Sequence, residues 1–158
     1  MVLNHITPDL FESLMNSALK LAAHAASLGE VPVGAVLWHN GKIISSQHNL
    51  VETNHDASAH AEILVMREAS SILGDWRLND AILCVTLEPC TMCSGAIRLA
   101  RVGTVVFGAA DPRLGAIGSL FDICEDPRLG AVPRIIRGVK EKECGQILSD
   151  FFAKVRSA

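Results

Sequence analysis

Apolar residues along the chain change their period several times. Leu10, Phe11, Leu14, Met15, Ala18, Leu21, Ala22 and Ala25 recur three and four apart, the stripe of an amphipathic helix. Thr7-Pro8-Asp9 gives that helix an N-cap, a proline at its first position and an acid at its positive end, and Gly29 stops it. Residues 33–38 and 42–46 are strand-like, and His39-Asn40-Gly41 between them is a hairpin turn. Helical spacing returns over 59–73, with Asp56 or Ser58 as cap and Gly74 as stop. A short apolar strand follows over 81–86. Pro89 then opens a third helix through Ala100, and 102–107 is a fourth strand. The Gly-containing segment 111–118 is loop. Beyond it the pattern predicts a short helix over 119–124, a last strand over 134–139 and a closing helix over 142–155.

This alternation predicts one domain over 1–158: a three-layer α/β/α arrangement around a mixed five-stranded sheet. The two strands flanking the third helix are expected to be parallel. Apolar residues make up 49% of the chain, enough for a packed core, yet no run approaches the roughly 20 needed to span a membrane. Met1-Val2-Leu3-Asn4-His5 lacks the basic-then-apolar pattern of a secretory signal, so a cytoplasmic location is expected. Five cysteines in such a chain point to metal binding or buried thiols, not to a disulfide framework. The net charge of −3 gives no general attraction to nucleic acid. Its distribution is uneven: residues 1–97 hold four basic and ten acidic side chains, and 98–158 hold ten basic and seven acidic. The C-terminal half can therefore present a weakly basic face to phosphates, or the asymmetry is ordinary surface variation.

Two short groups carry candidate chemistry: His60-Ala61-Glu62 and Pro89-Cys90-Thr91-Met92-Cys93, each at a predicted helix start. Thiolates three apart in a first turn can reach one tetrahedral ion, and the helix N-terminus favours the thiolate form. His60 adds a neutral imidazole, so Cys90, Cys93 and His60 form a three-donor set of the kind Zn²⁺ prefers. A structural zinc site is closed by four protein ligands, whereas a catalytic one keeps a position for water. In mid-helix, residues two apart diverge, but in a first turn both can lean over the helix end. Glu62 is thereby placed to act on water without ligating the metal. Cys84 lies in an apolar strand and reads as core. Cys124 and Cys144 are isolated and could be buried thiols, or one could be a fourth ligand that closes the site. Of the other histidines, His5, His24 and His39 have no partner spacing, while His48 and His55 are close enough in sequence to support the site.

His-x-Glu followed by Pro-Cys-x-x-Cys resembles the signature of the cytidine deaminase-like superfamily of zinc deaminases. Further stretches look like bacterial tRNA-specific adenosine deaminases: Val31-Pro32-Val33-Gly34-Ala35-Val36, Asn49, His55-Asp56, Thr86-Leu87-Glu88, Val105-Val106-Phe107-Gly108-Ala109, Asp111, Gly118-Ser119-Leu120 and Leu148-Ser149-Asp150-Phe151-Phe152. The resemblance implies hydrolysis of adenosine to inosine at the wobble position of a tRNA anticodon stem-loop. It also implies one Zn²⁺ per chain and a homodimer. Asn49 would then hydrogen-bond the purine, and Val33 with the backbone around Leu87 and Glu88 would line the base pocket. Asp111 would approach the ribose, and Phe152 would pack on neighbouring nucleotides. Where many members carry Asn-His, this chain has Gly130-Ala131. The competing enzyme reading is deamination of a free base or nucleotide, such as guanine or a cytosine derivative. The competing non-enzyme reading is a zinc-stabilised binding module, against which Glu62 and the three-ligand count both argue.

Overall fold

The computed structural model describes residues 6–158. Helix α1 (Pro8–Ser27) starts on Thr7, whose hydroxyl accepts the Leu10 amide, and ends ahead of Gly29 at φ 77°. Strands β1 (Gly34–His39) and β2 (Lys42–His48) form a hairpin whose turn residues Asn40 and Gly41 have φ 49° and 86°, as a two-residue turn of the primed kind requires. A short helix α2 (Val51–Asn54) follows, then α3 (Ala61–Leu73), β3 (Ile82–Leu87), α4 (Thr91–Leu99), β4 (Thr104–Ala109), β5 (Arg134–Ile136) and α5 (Glu141–Ser157). The strand order is β2-β1-β3-β4-β5. β1 runs antiparallel to β2 and β3, while β3, β4 and β5 are mutually parallel. The expected mixed five-stranded sheet is present, including the parallel pair around α4.

The two faces of the sheet bury different helices. Ala35, Leu37, Leu83, Val85, Val105 and Phe107 pack with Ala61, Val65, Met66 and Ala69 of α3 and Ile97 of α4. Val36, Trp38, Ile82, Cys84 and Val106, one residue out of phase, pack with Phe11, Leu14, Met15 and Ala18 of α1 and Cys144 of α5. That alternation is the period of two expected for a sheet covered on both sides. Close approach of α1 to β1 depends on Gly34, where a Cβ would collide with the Ala18 carbonyl and the backbone of Ala22.

Several boundaries differ from the sequence expectation. No helix forms over 119–124. Gly118 sits at φ 114°, its amide donates to the Phe121 carbonyl, and Ile117 pairs with Asp122 as an isolated bridge, so the chain folds back on itself there. The last strand stops at Ile136, because Gly138 (φ 76°) and Lys140 (φ 52°) turn the chain into α5. α3 begins at Ala61 and α4 at Thr91, each two residues later than expected. Asp56 does not cap α3; its carboxylate accepts the amide and hydroxyl of Ser58. α2 had no signal in the pattern of apolar positions.

Candidate metal centre and active site

The site assembles at one edge of the sheet. There the parallel strands β3 and β4 end and β1 begins, with Leu87 paired to Ala109 and the Gly34 amide bonded to the Thr86 hydroxyl. His60 and Cys90 are the N-cap residues of α3 and α4, both extended, and neither side chain caps its helix. Their side chains are thus free to leave the helix axis. Cys93 follows one turn into α4. His60 Nδ1 lies 3.4 Å from Cys93 Sγ and 3.6 Å from Cys90 Sγ. The three donor atoms all fall within 4.8 Å of one another, the one such three-residue group among the described residues.

Zn–S near 2.3 Å and Zn–N near 2.0–2.1 Å in a tetrahedron require an N···S separation of about 3.6 Å. The donors already stand at that spacing, so they fit the metal. Their titration has the same cause. Cys90 is pulled down to about 4, chiefly by the Cys93 thiol and then by His60. Cys93 is pushed far up by its hydrogen bond to Cys90 and by burial, and His60 is raised chiefly by Cys90. Three donors held this close share protons, and a divalent cation takes the place of those protons.

Glu62 is the second residue of α3 and is only 4% exposed. Burial raises its carboxyl above the usual glutamate range, against the smaller lowering effects of its own backbone amide and of His60. A proton-transferring carboxyl working near neutral pH needs that direction of shift. Cys84, Cys124 and Cys144 are buried elsewhere and add no fourth donor. His48 does not turn toward the donors: its Nδ1 lies 2.9 Å from the Asn49 carbonyl and its ring stacks edge-on with His24. His55 caps α2 in a left-handed conformation and is exposed. His5 lies outside the described residues.

Asn49 and Val33 are brought together at this edge, the Asn49 amide donating to the Val33 carbonyl. The Asn49 side chain accepts the Val51 amide and donates to the Val31 carbonyl, leaving one N–H of its amide uncommitted. Both residues are 8% exposed. Glu88 donates its backbone amide to Ala109, so that group is taken. Asp111 lies two residues past β4, its carboxylate accepting the amides of Arg113 and Leu114. Phe152 is eleven residues past the start of α5, roughly 16 Å along its axis, 39% exposed and edge-on to Phe151.

Three charged side chains gained no role from the sequence reading. Glu30 is fully buried and accepts the Glu52 amide together with the amide and hydroxyl of Thr53, which holds α2 beside Asn49. The Glu88 carboxylate collects donors from the 111–119 loop. Arg98, 8% exposed, donates to the carbonyls of Ile123, Cys124, Asp126 and Gly130. The one signal available in sequence was the place of Arg98 inside a helix and of Glu88 next to the metal motif; Glu30, in the loop after α1, offered none.

A covered mixed sheet with His and Cys donors on two helix caps defines a zinc-dependent deaminase. The chain belongs to the cytidine and deoxycytidylate deaminase zinc-binding family, whose profile matches residues 9–109. It is 50% identical to the tRNA-specific adenosine deaminase of Bacillus subtilis over 145 residues, covering 92% of this chain and 90% of that one. A structure from studies of A-to-I editing by tRNA:A34 deaminases at the wobble position of transfer RNA superposes with a TM-score of 0.83. It shares 42% identity and covers 86% of this chain and 99% of its own. Guanine deaminase from Bacillus subtilis is also similar, at TM-score 0.60 and 40% identity over 63% of this chain and 64% of that one.

Proposed function

We propose that this chain hydrolyses adenosine to inosine at the wobble position of a tRNA anticodon. The observation that carries the chemistry is the buried Glu62 carboxyl beside a three-donor zinc set that needs no fourth protein ligand. The likeness to tRNA-specific adenosine deaminase over nearly the whole chain supports the substrate.

His60, Cys90 and Cys93 hold the zinc, which when bound supplies a water that ionises near pH ~7. Glu62 takes a proton from the attacking water and delivers it to ring N1 as the oxygen bonds to C6. The same carboxyl then carries the remaining proton of that water, from the new C6 hydroxyl, to the amino group as the C–N bond breaks, leaving the C6 carbonyl and releasing ammonia. The uncommitted N–H of Asn49 donates to the purine ring, Val33 packs on the base, and the Leu87–Glu88 backbone forms its wall. Asp111 meets the ribose, and Phe152 packs on neighbouring nucleotides. The metal group is half-buried to buried, so a base that reaches it must leave its stack, which is cheapest in a single-stranded loop.

The reading extends to one deaminase domain over 1–158, working in the cytoplasm as a homodimer. Among the described residues no helix is long and apolar enough to cross a membrane. Support for the dimer comes from the surface: Leu99 is 78% exposed, and Met92, Leu114, Leu120 and Phe121 are exposed on α4 and the loops after β4. Ile97, two residues before Leu99 on the same helix, instead fills the chain's own core at 0% exposure. A second substrate reading, deamination of a free base, is favoured by the likeness to guanine deaminase. Inosine formation on an anticodon stem-loop, run beside free adenosine, guanine and cytidine, decides between them. Turnover of the stem-loop is expected; turnover of guanine alone would overturn the tRNA reading.

A further inference from the structure

Glu88 lies in the stretch between β3 and the metal-bearing turn of α4, and only 3% of it is exposed. One carboxylate oxygen accepts the Asp111 amide at 3.1 Å and the Ser119 hydroxyl. The other accepts the amides of Ile117 at 3.0 Å and Ser119 at 3.2 Å. One buried side chain thus gathers donors from both ends of the 111–119 loop. The loop is laid against the metal turn by two further contacts, the Ala116 amide on the Pro89 carbonyl at 2.9 Å and an isolated bridge between Cys90 and Gly115. Gly115 must be glycine for this, because a Cβ there would run into the Glu88 carboxylate and the Asp111 carbonyl. The arrangement continues outward: Asp111, fixed by Glu88 through its amide, uses its own carboxylate to fix Arg113 and Leu114.

We propose that Glu88 is a positioning residue for substrate recognition: its carboxylate sets the distance between the metal-bearing turn and the loop that presents Asp111 and Arg113. This side chain, unlike the backbone that carries it, touches neither metal nor substrate. The inference rests on the tRNA reading above for what the loop meets. Buried donors with no acceptor are costly, so losing this acceptor lets the loop leave its place without disturbing the three zinc donors, which α3 and α4 carry.

The test compares the parent protein with Glu88→Gln and Gly115→Ala. In Glu88→Gln the amide NH₂ must face at least one of the four donors, whichever way it turns. Gly115→Ala displaces the carboxylate from the other side and leaves Glu88 itself intact. Both variants should keep one zinc per chain by elemental analysis. Amide exchange at Asp111, Ile117 and Ser119 should quicken by about tenfold or more, with β3 and α3 unchanged. The stem-loop concentration giving half-maximal single-turnover inosine formation should rise by about tenfold or more, and the rate at saturation should fall by less than that. Loss of zinc together with rate would assign Glu88 to the metal site and overturn the proposal. Fast exchange with an unaltered half-saturation point would overturn it too, because the loop would then be released without cost to recognition. A parent protein that makes no inosine overturns the tRNA reading instead, while the exchange data still decide whether Glu88 sets the loop.

Discussion

His60 and Cys90 occupy the same position on two different helices: each is the N-cap residue, and in each the side chain leaves its own helix end uncapped to meet the other 3.6 Å away. An N-cap serine or aspartate typically contributes about 1 kcal/mol to its helix. Here both helices forgo that contribution, and a metal shared between the caps would restore the lost stability as well as join α3 to α4. Zinc binding is therefore expected to be coupled to stability and not only to chemistry. Removing the metal with a chelator should lower the melting temperature. Cys90→Ala and Cys93→Ala should each lose zinc, and the pair together should lose it completely. Full zinc retention in the double variant would rule out this donor set.

Glu30 should contribute stability that depends on pH in a fixed direction. Burial alone would raise its carboxyl; the amide and hydroxyl of Thr53, the Glu52 amide and the nearby His48 outweigh burial and hold it below the ordinary glutamate value. A carboxyl depressed in the folded state stabilises fully above its unfolded value, near pH ~4.3, and the effect fades as pH falls through the folded value. Glu30→Gln should therefore cost about 1–3 kcal/mol at pH 7, the penalty for ill-paired buried donors, or several degrees of melting temperature in a chain of this size. The gap should narrow as the pH is lowered past 4. A gap that stays constant down to acid pH would mean that Glu30 acts by shape and not by charge.

The metal donors and Glu62 were readable in the sequence because their geometry is local: three-residue spacing and two helix starts contain nearly all of it. The sheet was readable for a similar reason, since residues 34–39 and 82–87 are apolar on both faces and can only be covered strands. Glu30, Glu88 and Arg98 were not readable. Each is satisfied by backbone amides or carbonyls more than twenty residues away, and backbone groups leave no mark in a sequence. The absent helix over 119–124 has the same origin. The amide and hydroxyl of Ser119, where that helix would start, are committed to Glu88. The late start of α3 has a local cause: Asp56 and Ser58, better caps than histidine, are hydrogen-bonded to each other, and His60 stands at the helix end instead.

Leu99 should mark the surface between two copies. It is a large apolar side chain 78% exposed on the helix that carries Cys93, with Met92 exposed on the same helix. Sedimentation at micromolar concentration is expected to give a dimer, and Leu99→Glu should shift it toward the 16.9 kDa monomer. A clean monomer of the parent protein with activity intact would defeat the dimer reading.

Arg113, Lys154 and Arg156 are exposed and lie near Asp111 or beyond Phe152 along the chain. Neutralising all three should weaken stem-loop binding and lower the slope of log affinity against log salt by roughly two to three, since each phosphate contact contributes about 0.7–0.9. Single-turnover chemistry at saturation should change little. An unaltered affinity and salt slope would place the RNA path on another face.

The last prediction separates proton transfer from metal binding. Glu62 is buried within the first turn of α3, two residues from His60, and it is not needed to complete the donor set. Glu62→Gln keeps the size of the side chain and part of its hydrogen bonding but can neither accept a proton from water nor pass one on. Zinc content, fold and stem-loop affinity should stay near those of the parent, while turnover falls by at least the ~10²–10⁴-fold typical of a lost general acid–base group. The loss should exceed that range if the one carboxyl serves both proton transfers. A glutamate that only favours its helix through the first-turn dipole would behave differently, costing up to about 1 kcal/mol of stability with chemistry largely intact. Burial sharpens the distinction. Replacing an unused buried acid by its neutral amide should leave stability unchanged or raise it, because burial disfavours the charged form and has raised this carboxyl. A variant that is as stable as the parent, fully metallated and thousands of times slower would fit only the proton-transfer role. Near-normal turnover in the same fully metallated protein would remove Glu62 from the mechanism.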